Sequence, residues 1–307
     1  MHLLVTGATG LLGLNLSLLA VHQGHRVTGL SKAQELHGQP FRLCQVDLGD
    51  TEEALAEIAA LEPDAIIHCA AIADLNAAEA HPELAERING KVPGELAAFS
   101  ARQGIPFLHV STDAVFDGEK GRYGEADQVH PLSVYAQTKL AGEHAVLDVN
   151  PDACVNRVVF YGWSLSGRRS LSEFFFNELR AGRTVMGFTD ALFSPLYVED
   201  LAWILLEMLD ERLSGLYHAV SPESCSKYDF GLKIARVFGF DEGLIAPVRM
   251  QDLKRGAPRS LNLSLDPSRL QEALGTQFPG VDAGIERLYR RWMDGHPDYL
   301  QHLAVSS

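Results

Sequence analysis

The stretch LLVTGATGLLGLNL near the N-terminus constrains the fold more than any other. LLVTG has the continuous apolar pattern of a buried strand. Gly7, Gly10 and Gly13 follow at once and open an apolar helix pattern, LGLNLSLLAVHQG, that Gly24 ends. A strand that turns straight into a helix through three glycines brings backbone N–H groups together at a helix N-terminus, where the dipole favours an anion. The spacing is G-x-x-G-x-x-G rather than the commoner G-x-G-x-x-G, and close packing alone would also use glycines. In its strand–loop–helix setting the loop is read as a cradle in which Gly7, Thr9, Gly10, Leu11, Leu12 and Gly13 face a dinucleotide pyrophosphate.

The next segments repeat the alternation. RVTGLS and FRLCQVDL read as strands, TEEALAEIAALEP as a helix with Thr51 as its N-cap, and DAIIHCAA as a strand. The helix PELAERINGKVPGELAAFSARQG, the strand PFLHVS, the helix LSVYAQTKLAGEHAVL and the strand ACVNRVVFYG follow. Strands separated by helices pair in parallel through right-handed crossovers. The expected fold class is therefore α/β, a Rossmann doubly wound parallel sheet, with ligands beyond the carboxyl ends of the strands. Residues 1–162 are assigned to this dinucleotide-binding domain, with a segment near 190–212 (LFSPLYVEDLAWILLEML) returning to it. Residues 163–307, with GLYHAV and the helix around SKYDFGLKIARVFGF, are assigned mainly to a smaller α+β substrate lobe.

Composition narrows the partners. The 307 residues carry a formal net charge of -14, which argues against nucleic acid or an anionic membrane surface. No signal peptide and no membrane span are expected. Cys44, Cys69, Cys154 and Cys225 are scattered without C-x-x-C pairing, so neither a disulfide framework nor a metal site is expected, and a reducing cytoplasm is the simplest location. LAWILLEML is read as a core helix or a homodimer face, and EFFFNEL as core or lobe interface.

Strand ends supply the rest of the cofactor site. An NAD-preferring site usually places an acid after the second strand for the adenosine ribose. Here Ser31 and Lys32 stand there, a hydroxyl and an ammonium that suit a 2′-phosphate, although Lys32 could equally be a solvated surface lysine. NADPH is thus favoured and NADH is the alternative. Asp47, followed by Leu48, is placed to accept from an adenine amino group or to serve a turn. Cys69, Ala70 and Ala71 put small side chains where a dinucleotide backbone would lie, and His68 is read as a packed residue.

Chemistry is concentrated in two stretches. Tyr135 and Lys139 are four apart on one predicted helix and share a face. A nearby ammonium favours phenolate, so Lys139 is expected to lower the Tyr135 pKa from its usual ~10. HVSTDAVFDG delivers Thr112 and Asp113 at a strand end, and Ala114 follows.

Together, TGATGLLG, VDLGD, HCAA, INGKVP, STDAVFDG and PLSVYAQTKLAGE resemble the extended short-chain dehydrogenase/reductase family, most nearly the dTDP-4-dehydrorhamnose reductase pattern. The resemblance is specific over the first half; later, FSPLYVEDLA, GLYHAV and RSLNLSLD still look related. It implies NAD(P)H-dependent reduction of a 4-keto-6-deoxy sugar nucleotide. Tyr135 would be the general acid, Lys139 would bind the nicotinamide ribose, Thr112 would hydrogen-bond the substrate oxygen and Asp113 would assist. It also implies that Asn89 lies beside the nicotinamide pocket; an ordinary helix polar residue is the other reading. For the diphosphate of the substrate the cationic candidates are Arg168, Arg169, Arg255 and Arg259, with Arg169 and Arg259 preferred.

Departures from the pattern separate the alternatives. Sugar-nucleotide dehydratases carry a glutamate base after Thr-Asp, and the methyl group of Ala114 cannot abstract a proton, so elimination is disfavoured. Reductases commonly have tyrosine there and a tryptophan before YG, where this chain reads RVVFYG; Trp163 would either substitute or be a core or rim aromatic. The other readings are a nucleotide-sugar epimerase and a non-catalytic NADP-binding regulator resembling the methionine adenosyltransferase beta subunit.

Overall fold

The computed structural model describes residues 1–253 and 260–304. Seven parallel strands form its main sheet: β1 (His2–Thr6), β2 (Arg26–Ser31), β3 (Arg42–Gln45), β4 (Ala65–His68), β5 (Phe107–Thr112), β6 (Cys154–Val158) and β7 (Gly215–Ala219). Their order is 7-6-5-4-1-2-3. The winding direction reverses between β1 and β4, which opens a crevice at the carboxyl ends of those strands. Five helices matter below: α1 (Leu11–His22), α2 (Thr51–Leu61), α3 (Val92–Gln103), α4 (Val134–Val149) and α5 (Val198–Asp210).

Successive strand residues point to opposite faces, so a sheet buried on both sides needs unbroken apolar strands. Leu3, Val5, Ile67, Leu108 and Val110 join a core built with α1 and α5. Leu4, Ile66, Phe107 and Val155 join a second core with α2 and α3, closed by Val146 of α4. His109 and Ser111 alternate with Leu108 and Val110 and so face α4.

Among the described residues the later part of the chain adds helices Leu171–Arg180, Lys227–Phe238 and Val281–Met293, referred to below as the lobe, whose Phe175, Phe230 and Ile285 share the core of the sheet. Leu192–Phe193 pairs with both Cys225–Ser226 and Asn262–Leu263, and Val185–Phe188 pairs with Ile245–Val248. The segment after β5 is fastened to this lobe: Ser260 Oγ donates to Phe116 O at 3.0 Å and Asn262 N to Gly118 O at 3.0 Å. Phe175 and Phe176 are buried and Phe174 is exposed. In α5 nine residues are buried while Trp203 reaches the surface, so this helix is chiefly core. Among the described residues no helix is long and apolar enough to cross a membrane.

Four local expectations are corrected. GLYHAV belongs to the main sheet as β7 rather than to the lobe, because Gly215–Ala219 pairs in parallel along all of β6. The stretch ACVNRVVFYG is two strands. β6 ends at Val158, and Phe160–Tyr161 leaves the sheet to pair with Leu196–Tyr197. Asp50, not Thr51, caps α2, its carboxylate accepting from Glu53 N, while the Thr51 hydroxyl donates back to Leu48 O. Finally, the helix before Gln103 is broken by a π turn at Glu86–Lys91. Pro93 has no N–H to return to the Asn89 carbonyl, which frees the ladder at that point. Gly142 of α4 packs against the freed carbonyl so closely that a Cβ there would lie 2.2 Å from it.

Candidate active site

The phosphate loop forms for the reason its glycines suggest. Gly7 adopts φ +65°, and a Cβ on Gly13 would lie 2.2 Å from Gly7 O. Both positions therefore require glycine. Gly10 begins α1 without a side-chain cap, so the first-turn amides of Leu11, Leu12 and Gly13 have no partner within the helix. These residues line a groove of about 620 Å³ that runs over Ser31, Lys32, Asp47 and Leu48 at one end and Cys69, Ala70, Ala71 and Val110 at the other. Unpaired helix N–H groups, a tight glycine floor and this length fit a dinucleotide with its pyrophosphate on α1.

At the β2–β3 end of the groove Lys32 Nζ pairs with Asp47 at 2.8 Å, the side chains 66% and 47% exposed. The Lys32 hydrogen bond, with a backbone bond from Gly49, holds the Asp47 carboxyl below its ordinary range. An exposed pair is worth only ~0–1 kcal/mol, so an incoming phosphate can take the ammonium over. Ser31 Oγ accepts from Gln34 N at 3.2 Å and stands 3.4 Å from the Thr9 hydroxyl.

At the other end, β5 delivers Thr112 and Asp113, which are 6% and 8% exposed. Thr112 Oγ1 donates to Asp113 Oδ1 at 3.1 Å and accepts from Ala114 N at 3.2 Å. Burial pushes the Asp113 carboxyl up to about 6, against the Thr112 hydrogen bond and the charge of Lys227 from the lobe. Ser133 caps α4 and aims Tyr135 across the strand end. The half-buried phenol faces Thr112, whose hydroxyl favours its charged form. Lys139 is buried in the next turn, its Nζ donating to Val110 O at 2.6 Å and lying 3.4 Å from His109 Nε2.

This arrangement overturns one expectation. Tyr135 is not lowered by an ammonium: burial raises it to about 12, opposed by Thr112 and reinforced by the Asp113 charge. Lys139 points instead into β5, where burial drops it to about 8, with Glu143 and Cys69 acting the other way. Cys69, on the groove wall, is pushed up to about 12 by burial.

Other singled-out residues fall as follows. Asn89 is fully buried behind the groove wall: its side chain bonds both backbone groups of Ile72, at 2.9 and 3.1 Å, and Thr138 at 3.2 Å. Its contact with the groove runs through Ile72, which lines it. Arg169 is exposed and lies on the same groove as the phosphate loop. Arg255 and Arg259 lie outside the described residues. Trp163 is core, 3% exposed, its indole donating to Leu288 O at 3.0 Å. The groove's aromatic is Phe160, half-buried, from the short strand that leaves the sheet.

Sequence reading missed the bracing beneath the site. Glu143, one turn beyond Lys139, accepts from Ser111 Oγ at 2.5 Å and from Arg157 Nη2 at 2.7 Å. A carboxylate at 139+4 and an arginine on the next strand were the available signal, but helices carry such carboxylates on solvated faces far more often.

A glycine-cradled groove at the carboxyl ends of a doubly wound parallel sheet, reaching Val110 two residues before Thr112, defines a chain of the dinucleotide-binding Rossmann class. The chain belongs to the RmlD substrate binding domain family, whose model matches residues 1–293. It is 39% identical over 301 residues to the "Probable low-salt glycan biosynthesis reductase Agl14" of Haloferax volcanii, covering 96% of this chain and 99% of that one. It is 34% identical over 266 residues to the dTDP-4-dehydrorhamnose reductase of Mycobacterium tuberculosis (84% and 83% covered). Methionine adenosyltransferase 2 subunit beta of Bos taurus is also similar, 33% identical over 284 residues (89% and 82%). Among solved structures, a hypothetical dTDP-4-dehydrorhamnose reductase from Sulfolobus tokodaii superposes with a TM-score of 0.80 at 32% identity, covering 92% of this chain and 98% of that one.

Proposed function

We propose that the protein is an NAD(P)H-dependent reductase of a 4-keto-6-deoxy sugar nucleotide, with NADPH the preferred cofactor. The observation that carries this reading is the convergence of Thr112 and Tyr135 beside the strand end at which Val110 lines the groove, with Lys139 buried against that strand. Reductase names among relatives that align over nearly the whole chain support the same reading.

A nicotinamide cofactor supplies the hydride. The residues handle the charge that appears on the carbonyl oxygen. Tyr135 would give up its proton to that oxygen, and Thr112, whose hydroxyl donates to Asp113 in the structure, would turn to donate to it as well. A phenol raised to about 12 stays protonated at neutral pH, which suits an acid. Lys139 retains a donor beyond Val110 and His109 with which to hold a ribose hydroxyl. Lys32 supports NADPH through its exposed, exchangeable ammonium. Arg169 on the groove, and Arg259, are the candidates for anionic oxygens. Ala114 leaves no base beside the dyad for elimination, which favours reduction over dehydration.

Loss of NADPH absorbance against a panel of nucleotide-linked 4-keto sugars tests the reading. Turnover is expected with at least one, and Tyr135→Phe should abolish it with NADPH affinity nearly unchanged. Tight NADPH binding without oxidation by any member would transfer the chain to the regulatory class that its similarity to the methionine adenosyltransferase subunit represents.

A further inference from the structure

Beneath Lys139 lie two histidines that the functional reading leaves unused. His68 and His109 are paired across β4 and β5, 1% and 0% exposed, with rings stacked at a centroid distance of 5.3 Å and 20° between planes. His109 Nε2 lies 3.4 Å from Lys139 Nζ. His68 Nδ1 lies 2.7 Å from Thr6 Oγ1, which also accepts from Ala70 N at 3.1 Å. His109 Nδ1 and His68 Nε2 are buried without any partner. Such orphaned polar atoms are costly, and a core serving only to pack would carry apolar side chains there.

We propose that His109, stacked on His68, is a positioning residue for Lys139: its neutral imidazole accepts from the ammonium and holds it behind Val110, which lines the groove.

The tautomer follows from the geometry. Lys139 donates, so Nε2 of His109 carries the lone pair and its proton sits on Nδ1. The ring stays neutral, because burial and the Lys139 charge hold its pKa well below the ordinary 6.5, and those influences take His68 down to about 3. An imidazole therefore offers an acceptor without offering a counter-charge. The other groups that face Lys139 complete the balance. Glu143 on its own helix has its carboxylate committed to Arg157 and Ser111, and Cys69 at the end of β4 keeps its proton. A lysine so placed loses its proton near pH 8. Removing the acceptor makes the buried ammonium harder to sustain, so the titration should move down. A carboxylate there would instead fix the lysine as permanently charged.

The catalytic relevance of this seat rests on the reductase reading; the seat itself does not. NMR of cofactor-free protein labelled at lysine Nζ and Cε reads it directly. One signal, absent in Lys139→Met, should titrate about two units below the others. In His109→Leu it should fall by a further unit or so, and in His109→Gln, which keeps an acceptor, it should remain near the wild-type midpoint. If the leucine variant does not fold, His109→Asn, whose shorter amide falls out of reach, should show the downward movement. An ordinary midpoint near ~10.4 in the wild type, or no movement in folded His109→Leu or Asn, overturns the seat. The alkaline limb of NADPH oxidation should shift in parallel. Titration that moves while no keto sugar is reduced would remove the reductase reading alone.

Discussion

Arg157→Met tests the bracing of the site most directly. Arg157 and Glu143 have side chains 4% and 2% exposed and meet through Nη2 at 2.7 Å and Nε at 3.0 and 3.2 Å. Methionine keeps an unbranched apolar stem but removes the guanidinium that lies over the Phe116 ring, 5.0 Å from its centroid. It leaves the Glu143 carboxylate buried with only Ser111 as donor. Stranding one member of a buried pair costs about 3–5 kcal/mol, a large share of the ~5–15 kcal/mol by which folded chains exceed unfolded ones. The double variant Arg157→Met/Glu143→Met removes the stranded charge and should regain all but about 1–2 kcal/mol, the remainder reflecting the orphaned Ser111 hydroxyl. Urea unfolding of the wild type, both singles and the double gives the coupling. A loss below about 1 kcal/mol in Arg157→Met, or a double variant worse than either single, would mean that solvent reaches this pair and that it does not hold α4 onto β5 and β6.

Three further outcomes follow from the same geometry. Gly13→Ala should destroy NADPH binding while leaving the sheet folded, since its Cβ meets the Gly7 carbonyl at 2.2 Å; fluorescence titration with NADPH checks this. Lys32→Ala should weaken NADPH relative to NADH and leave NADH nearly unchanged; equal losses for both would place the preference elsewhere. Stability should fall on acidification from about pH 6 to 4. His68, His109, His218 and His296 are buried neutral, with folded pKa values held below 6.5, so their contribution is present above 6.5 and is lost as pH drops. Asp113 and Asp200, raised to about 6, act oppositely: their contribution is present below their unfolded values and is lost as pH rises. The lowered histidines outnumber the raised carboxylates among the described residues, so the net slope is a loss on acidification, measurable as the urea midpoint across that window.

The sheet was legible because its signal is local. Gly7, Gly10 and Gly13 sit where a strand must become a helix, and apolar strands between amphipathic helices leave few topologies. Thr112, Asp113 and Tyr135 were legible for a related reason: strand ends and capped helix starts converge at the crevice of any doubly wound sheet. What escaped depended on contacts distant in sequence. GLYHAV has no glycine loop or crossover signature of its own, and only its pairing with β6 makes it a sheet strand. The π turn arises from Pro93 acting on Asn89 together with the approach of Gly142, some fifty residues on. Glu143 and Arg157 each look like surface charge until β5, β6 and α4 are brought together.

The misread Tyr135–Lys139 pair changes the chemistry expected of the site. Four-residue spacing places both side chains on one face but does not aim them at each other, and here the ammonium turns to the Val110 carbonyl while the phenol meets Thr112. A phenol lowered toward neutrality would serve either direction of a hydride transfer, as acid for a ketone or as base for an alcohol. A phenol raised to about 12 retains its proton through the physiological range and is set for reduction. The forward reaction should thus be insensitive to Tyr135 between about pH 6 and 8. Oxidation of the product alcohol by NADP⁺ needs the phenolate, whose fraction climbs tenfold per pH unit, and its rate should climb with it. Measuring both directions over that range separates the cases: a reverse rate already level near neutral pH would show that Tyr135 titrates there, and would restore to Lys139 the tuning role that its position denies it.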